Sequence, residues 1–147
     1  MIRQGRLEDI QPIFEIGQWY LDQIHDGYKI DWKQGPKDLR FLINSKQARV
    51  LVAEVDGKVV GALIGQVVKQ AFVDIRYATD LAFIVKPGHP IQAVMLARHF
   101  IHWARKQPNV KEVTLQISSG LRNNERVARM YEKLGMKNMG ACFTLNF

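Results

Sequence analysis

Apolar positions recur along this chain with two different periods, and each change of period marks a boundary between elements. Ile2 to Gln4 reads as a short strand. Asp9 and Pro12 suit the first turn of a helix, whose buried side is Ile10, Ile13, Phe14, Gly17, Leu21 and Ile24. Gln23 to Gly35 has no period and reads as a loop, after which Pro36 and Asp38 open a short helix through Leu39, Phe41, Leu42 and Ile43. The run Arg49 to Val55 is nearly all apolar, and Asp56-Gly57 supplies a two-residue hairpin turn into a strand from Lys58 to Val68. A third long strand spans Ile75 to Val85, where Leu81, Phe83 and Val85 alternate with Asp80, Ala82 and Ile84, and Pro87 ends it. The helical period returns from Ile91 to Lys106, burying Ala93, Leu96, Ala97, Phe100, Ile101 and Ala104 and leaving His99 and His102 toward solvent. Val113, Leu115 and Ile117 predict a strand, Asn124 to Leu134 a helix, and Asn138 to Phe147 a closing strand.

Periodicity alone gives a mixed α+β chain with an antiparallel first half and a helix crossing between later strands. At 147 residues the expectation is a single domain over 1–147. No apolar run is long enough for a membrane helix, and the amino-terminal pattern lacks a secretory core, so a cytoplasmic location and no membrane partner are expected. The one cysteine, Cys142, has no internal partner, no base is placed beside it by spacing, and no Cys/His cluster has zinc-ligand spacing, so no metal is implied. The net charge of +7 admits nucleic acid, acidic partners or a phosphate-bearing cofactor. Arg98, Arg105, Lys106 and Lys111 are the densest basic group, but no aromatic side chains interleave with them, so they read as a solvated face rather than a nucleic-acid site.

One segment is more specific than the rest. Asn124-Glu125-Arg126-Val127-Ala128-Arg129-Met130-Tyr131-Glu132-Lys133-Leu134-Gly135-Met136 has Asn123 or Asn124 as amino-terminal cap, an apolar stripe of Val127, Met130, Tyr131 and Leu134, and Gly135 at the left-handed stop. It resembles the last helix of the GCN5-related N-acetyltransferase superfamily, N-x-x-A/V-x-x-x-Y-x-K-x-G-F, matching at Asn124, Tyr131, Lys133 and Gly135, with Met136 in place of the closing Phe. The length and the Phe100-Ile101-His102-Trp103-Ala104 stretch are similar to phage-type members.

That resemblance implies an α/β sandwich, with a mixed central sheet flanked by helices, and acetyl-coenzyme A as cosubstrate in a V-shaped opening between two parallel strands. Its pyrophosphate would lie at the start of the next helix, where unpaired N–H groups and the positive end of the helix dipole favour an anion. In this chain that place is Pro87 to Ala93. The family signature R/Q-x-x-G-x-G/A is missing there, since glycine occurs only at Gly88 and Pro90 has no N–H. The cofactor-binding residues implied are therefore Leu81, Ala82, Phe83, Ile84 and Val85 on the strand, His89, Ile91, Gln92 and Ala93 at the helix start, and Asn124 and Tyr131. Tyr131 matches the general acid for the departing thiolate, and equally fits as a packed residue of its apolar stripe. Asp80 is the leading base for the amine, beside Glu54, Asp74, His25 or a water chain. Tyr28 and Trp32 would wall the acceptor site, with Asp26 or Asp31 attracting a cationic amine. The activity implied is direct transfer of acetyl to an amine of a small molecule or protein; many relatives pair as homodimers, and the sequence leaves open whether this chain does. The alternative is a catalytically weak module of the same fold that binds a protein or nucleic acid through its basic surface.

Overall fold

The computed structural model describes residues 1–24, 27–117 and 124–147. They form two compact units, Met1–Leu115 and Gln116–Phe147. The first unit holds a five-stranded sheet in the order β1 (Ile2–Gln4), β2 (Ala48–Val55), β3 (Lys58–Lys69), β4 (Arg76–Val85) and β5 (Val110–Thr114). β1 to β4 pair antiparallel, and β5 joins β4 in parallel. The helices of this unit are α1 (Ile10–Ile24), α2 (Gly35–Asn44) and α3 (Pro90–Arg105). The second unit contains α4 (Asn124–Lys133). No helix among the described residues is long and apolar enough to cross a membrane.

The alternation of β2 and β3 explains why helices pack on both faces of the sheet. Val50, Val52, Ala62 and Ile64 are buried on one face with Ile10 and Ile13 of α1 and Leu39 of α2. Leu51 and Leu63 point to the other face, where α3 packs with Leu96 and Phe100 inaccessible to solvent. Gly65 lies under that helix: a Cβ there would overlap the Phe100 ring and sit 2.8 Å from the Thr79 carbonyl oxygen. A glycine in the middle of a long strand therefore sets how closely α3 approaches the sheet.

The turns follow local chemistry. Asp56 and Gly57 both have positive φ, 50° and 73°, as the two-residue turn joining β2 to β3 requires. Asp31 Oδ1 accepts the N–H groups of Lys33 and Gln34 at 2.9 Å each, and its carbonyl accepts Gly35 N–H, which starts α2. α4 ends on Gly135 at φ 87°, with Gly135 N–H donating to the Glu132 carbonyl and Met136 N–H to that of Tyr131, the paired closure expected of a left-handed glycine stop.

Two sequence expectations are corrected. Asn138 to Phe147 forms no strand and is exposed along its length. The odd positions are apolar, but alternation supplies no ladder bonds, and Gly140 N–H turns back onto Asn138 Oδ1 at 3.0 Å with φ 146°. β5 lies earlier than the pattern around Val113 to Ile117 suggests: Val110 N–H closes a turn on the Gln107 carbonyl, Asn109 at φ 57° accepts Arg76 N–H, and pairing begins at once.

A charged clasp joins the amino-terminal strand to its neighbours. Arg3 Nη1 and Nη2 donate to the Asp9 carboxylate at 2.6 and 2.9 Å, Nε donates to Glu54 Oε2 at 2.8 Å, and Nη1 also reaches the Gln4 carbonyl. Asp9 is 3% exposed and also accepts Arg6 N–H at 2.7 Å. Burial pushes the Asp9 carboxyl up, but the Arg3 hydrogen bonds and the Arg6 N–H outweigh it and hold it below the ordinary range. The bonds to Asp9 likewise raise the Arg3 guanidinium against its own desolvation.

Asp9→Ala removes one of the two carboxylates on the part-buried Arg3, which keeps Glu54, so it should lower unfolding free energy by about 2 kcal/mol in denaturant titration at pH 7. Because the folded carboxyl titrates lower than the unfolded one, its contribution is present above roughly pH 4 and fades as pH falls through the folded value. The stability gap between wild type and Asp9→Ala should therefore narrow on acidification below about pH 4. Gly65→Ala should cost about 2 kcal/mol by pushing Phe100 off the sheet, a loss visible as a lower thermal midpoint.

Candidate functional site

β4 is an inner strand of the sheet, yet among the described residues it is paired on both sides over only part of its length. On one side it pairs with β3 from Arg76 opposite Lys69 to Val85 opposite Gly61. On the other it pairs with β5 only from Arg76 to Thr79, ending at Thr79 opposite Thr114. From Asp80 to Val85 the second edge has no strand partner among the described residues, and every side chain there is half-buried or exposed. Leu81 is 51% exposed on a segment whose β3 partners, Gly61 to Gly65, are buried.

The ladder also slips inside this segment. Ile64 pairs with Ala82 but Gly65 pairs with Asp80, so Leu81 is an extra residue in β4. A bulge turns backbone groups out of the β3 ladder at the point where the β5 ladder has just ended. The apolar alternation of the sequence carried no sign of it. Asp80, opposite Gly65, borders the bulge directly.

The strand leads into the start of α3 within a few residues. Lys86 N–H donates to the Val60 carbonyl at 2.8 Å, Gly88 turns the chain at φ 86°, and His89 is the residue before the helix. His89 makes no side-chain capping bond, and its carbonyl accepts Ala93 N–H at 3.3 Å. Ala93 is thus engaged by the helix itself and Pro90 has no N–H, which leaves Ile91 and Gln92 as donors without a backbone partner among the described residues. Two N–H groups at the positive end of a 16-residue helix are a geometry that suits an anion.

Among the other base candidates, Glu54 is held by Arg3 and Asp74 lies in the loop before β4, at the far end from the bulge. His25 and Asp26 lie outside the described residues, as does Asn123. His99 is exposed with Nδ1 2.8 Å from the Met95 carbonyl, and His102 is exposed.

The segment after α1 is fixed by three contacts. Ile30 N–H donates to Gln18 Oε1 at 2.9 Å, the Ile30 side chain approaches Gly17, and Trp32 packs edge-on against Phe14 with ring centroids 5.9 Å apart. Tyr28 and Trp32 remain 58% and 46% exposed. Asp31 caps the turn into α2, so its Oδ1 serves the backbone.

In the second unit, Asn124 is the first residue of α4, and the Tyr131 ring is 7% exposed. The Tyr131 hydroxyl donates to the Gln116 carbonyl at 3.3 Å. In that bond the phenol is the donor and a backbone carbonyl the acceptor.

Solved structures resemble the whole chain. Glucosamine-6-phosphate N-acetyltransferase from Arabidopsis thaliana superposes with a TM-score of 0.76 at 15% identity, covering 100% of this chain and 97% of its own. An aminoglycoside acetyltransferase from an uncultured soil metagenomic sample, solved with sisomicin, gives 0.73 at 17% identity, with coverage of 100% and 95%. Ribosomal-protein-alanine N-acetyltransferase from Brucella melitensis biovar Abortus 2308 gives 0.68 at 17% identity, with coverage of 100% and 99%. At these identities the likeness shows the fold. No curated protein matches the sequence at a significant level. The family model described as Acetyltransferase (GNAT) family matches residues 14–136, from α1 through the stop of α4, and the chain belongs to that family.

Proposed function

We propose that the protein is an acetyl-coenzyme A dependent N-acetyltransferase that moves acetyl directly to an amine, and that its two units work as one domain. The observation that carries the reading is the edge of β4 from Leu81 to Val85, which has no strand partner among the described residues, is bulged at Leu81 and is followed by the N–H groups of Ile91 and Gln92, which have no backbone partner among them. These groups fit the cosubstrate: an extended amide-bearing arm can add to a strand edge, and a pyrophosphate suits the amino end of α3. The family match spans both units, which supports their acting together.

In this reading, backbone N–H groups at the bulge polarise the thioester carbonyl and stabilise the oxyanion that forms when the amine nitrogen attacks. Asp80 accepts the proton that the amine must lose, directly or through water. As the carbon–sulfur bond breaks, the Tyr131 hydroxyl gives its proton to the departing thiolate. Tyr28 and Trp32 line the acceptor side with exposed aromatic surface. Asp80 also supplies a charge that can order a cationic amine, beside Asp31, whose Oδ1 accepts backbone N–H groups.

Calorimetric titration tests the reading. Acetyl-coenzyme A should bind the folded protein with a one-to-one stoichiometry, and absence of heat at millimolar ligand would overturn the enzyme assignment. Tyr131→Phe should leave that affinity within about twofold and lower kcat by roughly 10²- to 10⁴-fold toward any accepted amine, the usual worth of general acid catalysis. An unchanged kcat would return Tyr131 to a packing role.

A further inference from the structure

From Leu81 to Lys111 the chain contains no carboxylate, while Lys86, Arg98, Arg105, Lys106 and Lys111 and three histidines all fall within that stretch. Most of it is α3, and the fold puts the surplus on one side. Leu96, Ala97, Phe100 and Ala104 are buried against the sheet, whereas Arg98, His99, His102, Arg105 and Lys106 are exposed. Arg98, His102 and Arg105 follow at i, i+4 and i+7, so they form one solvent-facing row, continued by Lys106 at the helix end. Among the described residues the ion pairs involve only Arg3 and Arg6, so none of these cations is neutralised by a carboxylate.

Helix stability accounts for only part of this row. His102, Arg105 and Lys106 sit in or beside the last turn and complement the helix dipole, but that effect fades within one turn and does not reach Arg98. The row also lies apart from the proposed cofactor site: at 1.5 Å per residue Arg98 is about 12 Å, and Arg105 about 22 Å, from Pro90.

We propose that the outer face of α3 binds the phosphate backbone of a double-stranded nucleic acid through Arg98, Arg105 and Lys106. Cations a helical turn apart with no compensating carboxylate suit a linear polyanion, where binding is driven by release of condensed counterions. Among the described residues α3 presents no exposed Phe, Tyr or Trp on this face as a platform for unstacked bases: Trp103 is half-buried and packs on Phe100 with centroids 5.3 Å apart. A duplex, with its bases already stacked, fits such a surface better than a single strand. Exposed Glu112 on β5 and Asp74 in the loop bonded to Asn109 bound the patch beyond the helix end.

Fluorescence anisotropy of labelled 16-base-pair RNA and DNA duplexes, titrated with the full chain between 50 and 200 mM salt, tests this. Three phosphate contacts contribute a slope of about −2.7 in log K against log salt, equal to a roughly fortyfold loss over that range. The triple variant Arg98→Gln/Arg105→Gln/Lys106→Gln should lose about that much slope, and Arg98→Gln alone about 0.9, with thermal midpoint and acetyl-coenzyme A affinity unchanged. Binding to both duplexes is expected, and the tighter one identifies the natural source of the phosphates. No binding at 50 mM salt, an unaltered slope in the triple variant, or tighter binding of single strands would overturn the proposal. So would tighter binding of polyglutamate, which would give the face to an acidic protein.

Discussion

The structure depends on where the parallel pairing of β4 and β5 stops. A buried backbone must find partners for its N–H and C=O groups, and an inner strand normally finds them on both sides. β4 does so from Arg76 to Thr79 and then keeps only its β3 ladder. The five residues from Leu81 to Val85, with no strand partner on that edge among the described residues, thus offer a row of polar groups to water or to an extended ligand, where each such bond is stronger than in bulk solvent if water is excluded. The Leu81 bulge and the amino end of α3 extend that row in one direction along the chain.

Everything that holds β4 straight while one edge is open comes from the other edge and the two faces. Ala62 and Ile64 of β3 are anchored under α1 and α2, and Gly65 admits Phe100 of α3 almost to backbone contact. The Arg3, Asp9 and Glu54 clasp fixes β1 and the end of β2, so the antiparallel half behaves as a firm platform. Its five guanidinium contacts leave Arg3 no donor for a ligand, and it is structural for that reason.

Much of this was legible in the residues. The strong periods of α1 and α3, the Asp56-Gly57 turn and the Gly135 stop each have a local physical cause, and each appears where the pattern placed it. The strand edge at Leu81 to Val85 and the helix start at Ile91 and Gln92 were expected from family resemblance, since spacing alone could not choose them. What escaped the sequence depends on partners. The bulge at Leu81 arises from register with Gly65, the alternating tail after Asn138 forms no ladder, and β5 begins at Val110 because of a turn at Asn109. Asp31 was read as a charge that could attract a cationic amine, and what the residues did not show is that its Oδ1 also accepts the backbone N–H groups of Lys33 and Gln34. A solvated basic face was also read from Arg98 to Lys111, and the fold shows that the part on α3 is one uncompensated row.

The central claim is that the open edge of β4 and the first turn of α3 receive the cosubstrate. Backbone amide resonances followed by NMR during titration with acetyl-coenzyme A test it most directly. The account predicts that the largest shifts and new exchange protection fall on Leu81 to Val85, Ile91 and Gln92, with β1 and β2 nearly unmoved. Saturable binding that leaves those amides unshifted and perturbs another part of the sheet would contradict it.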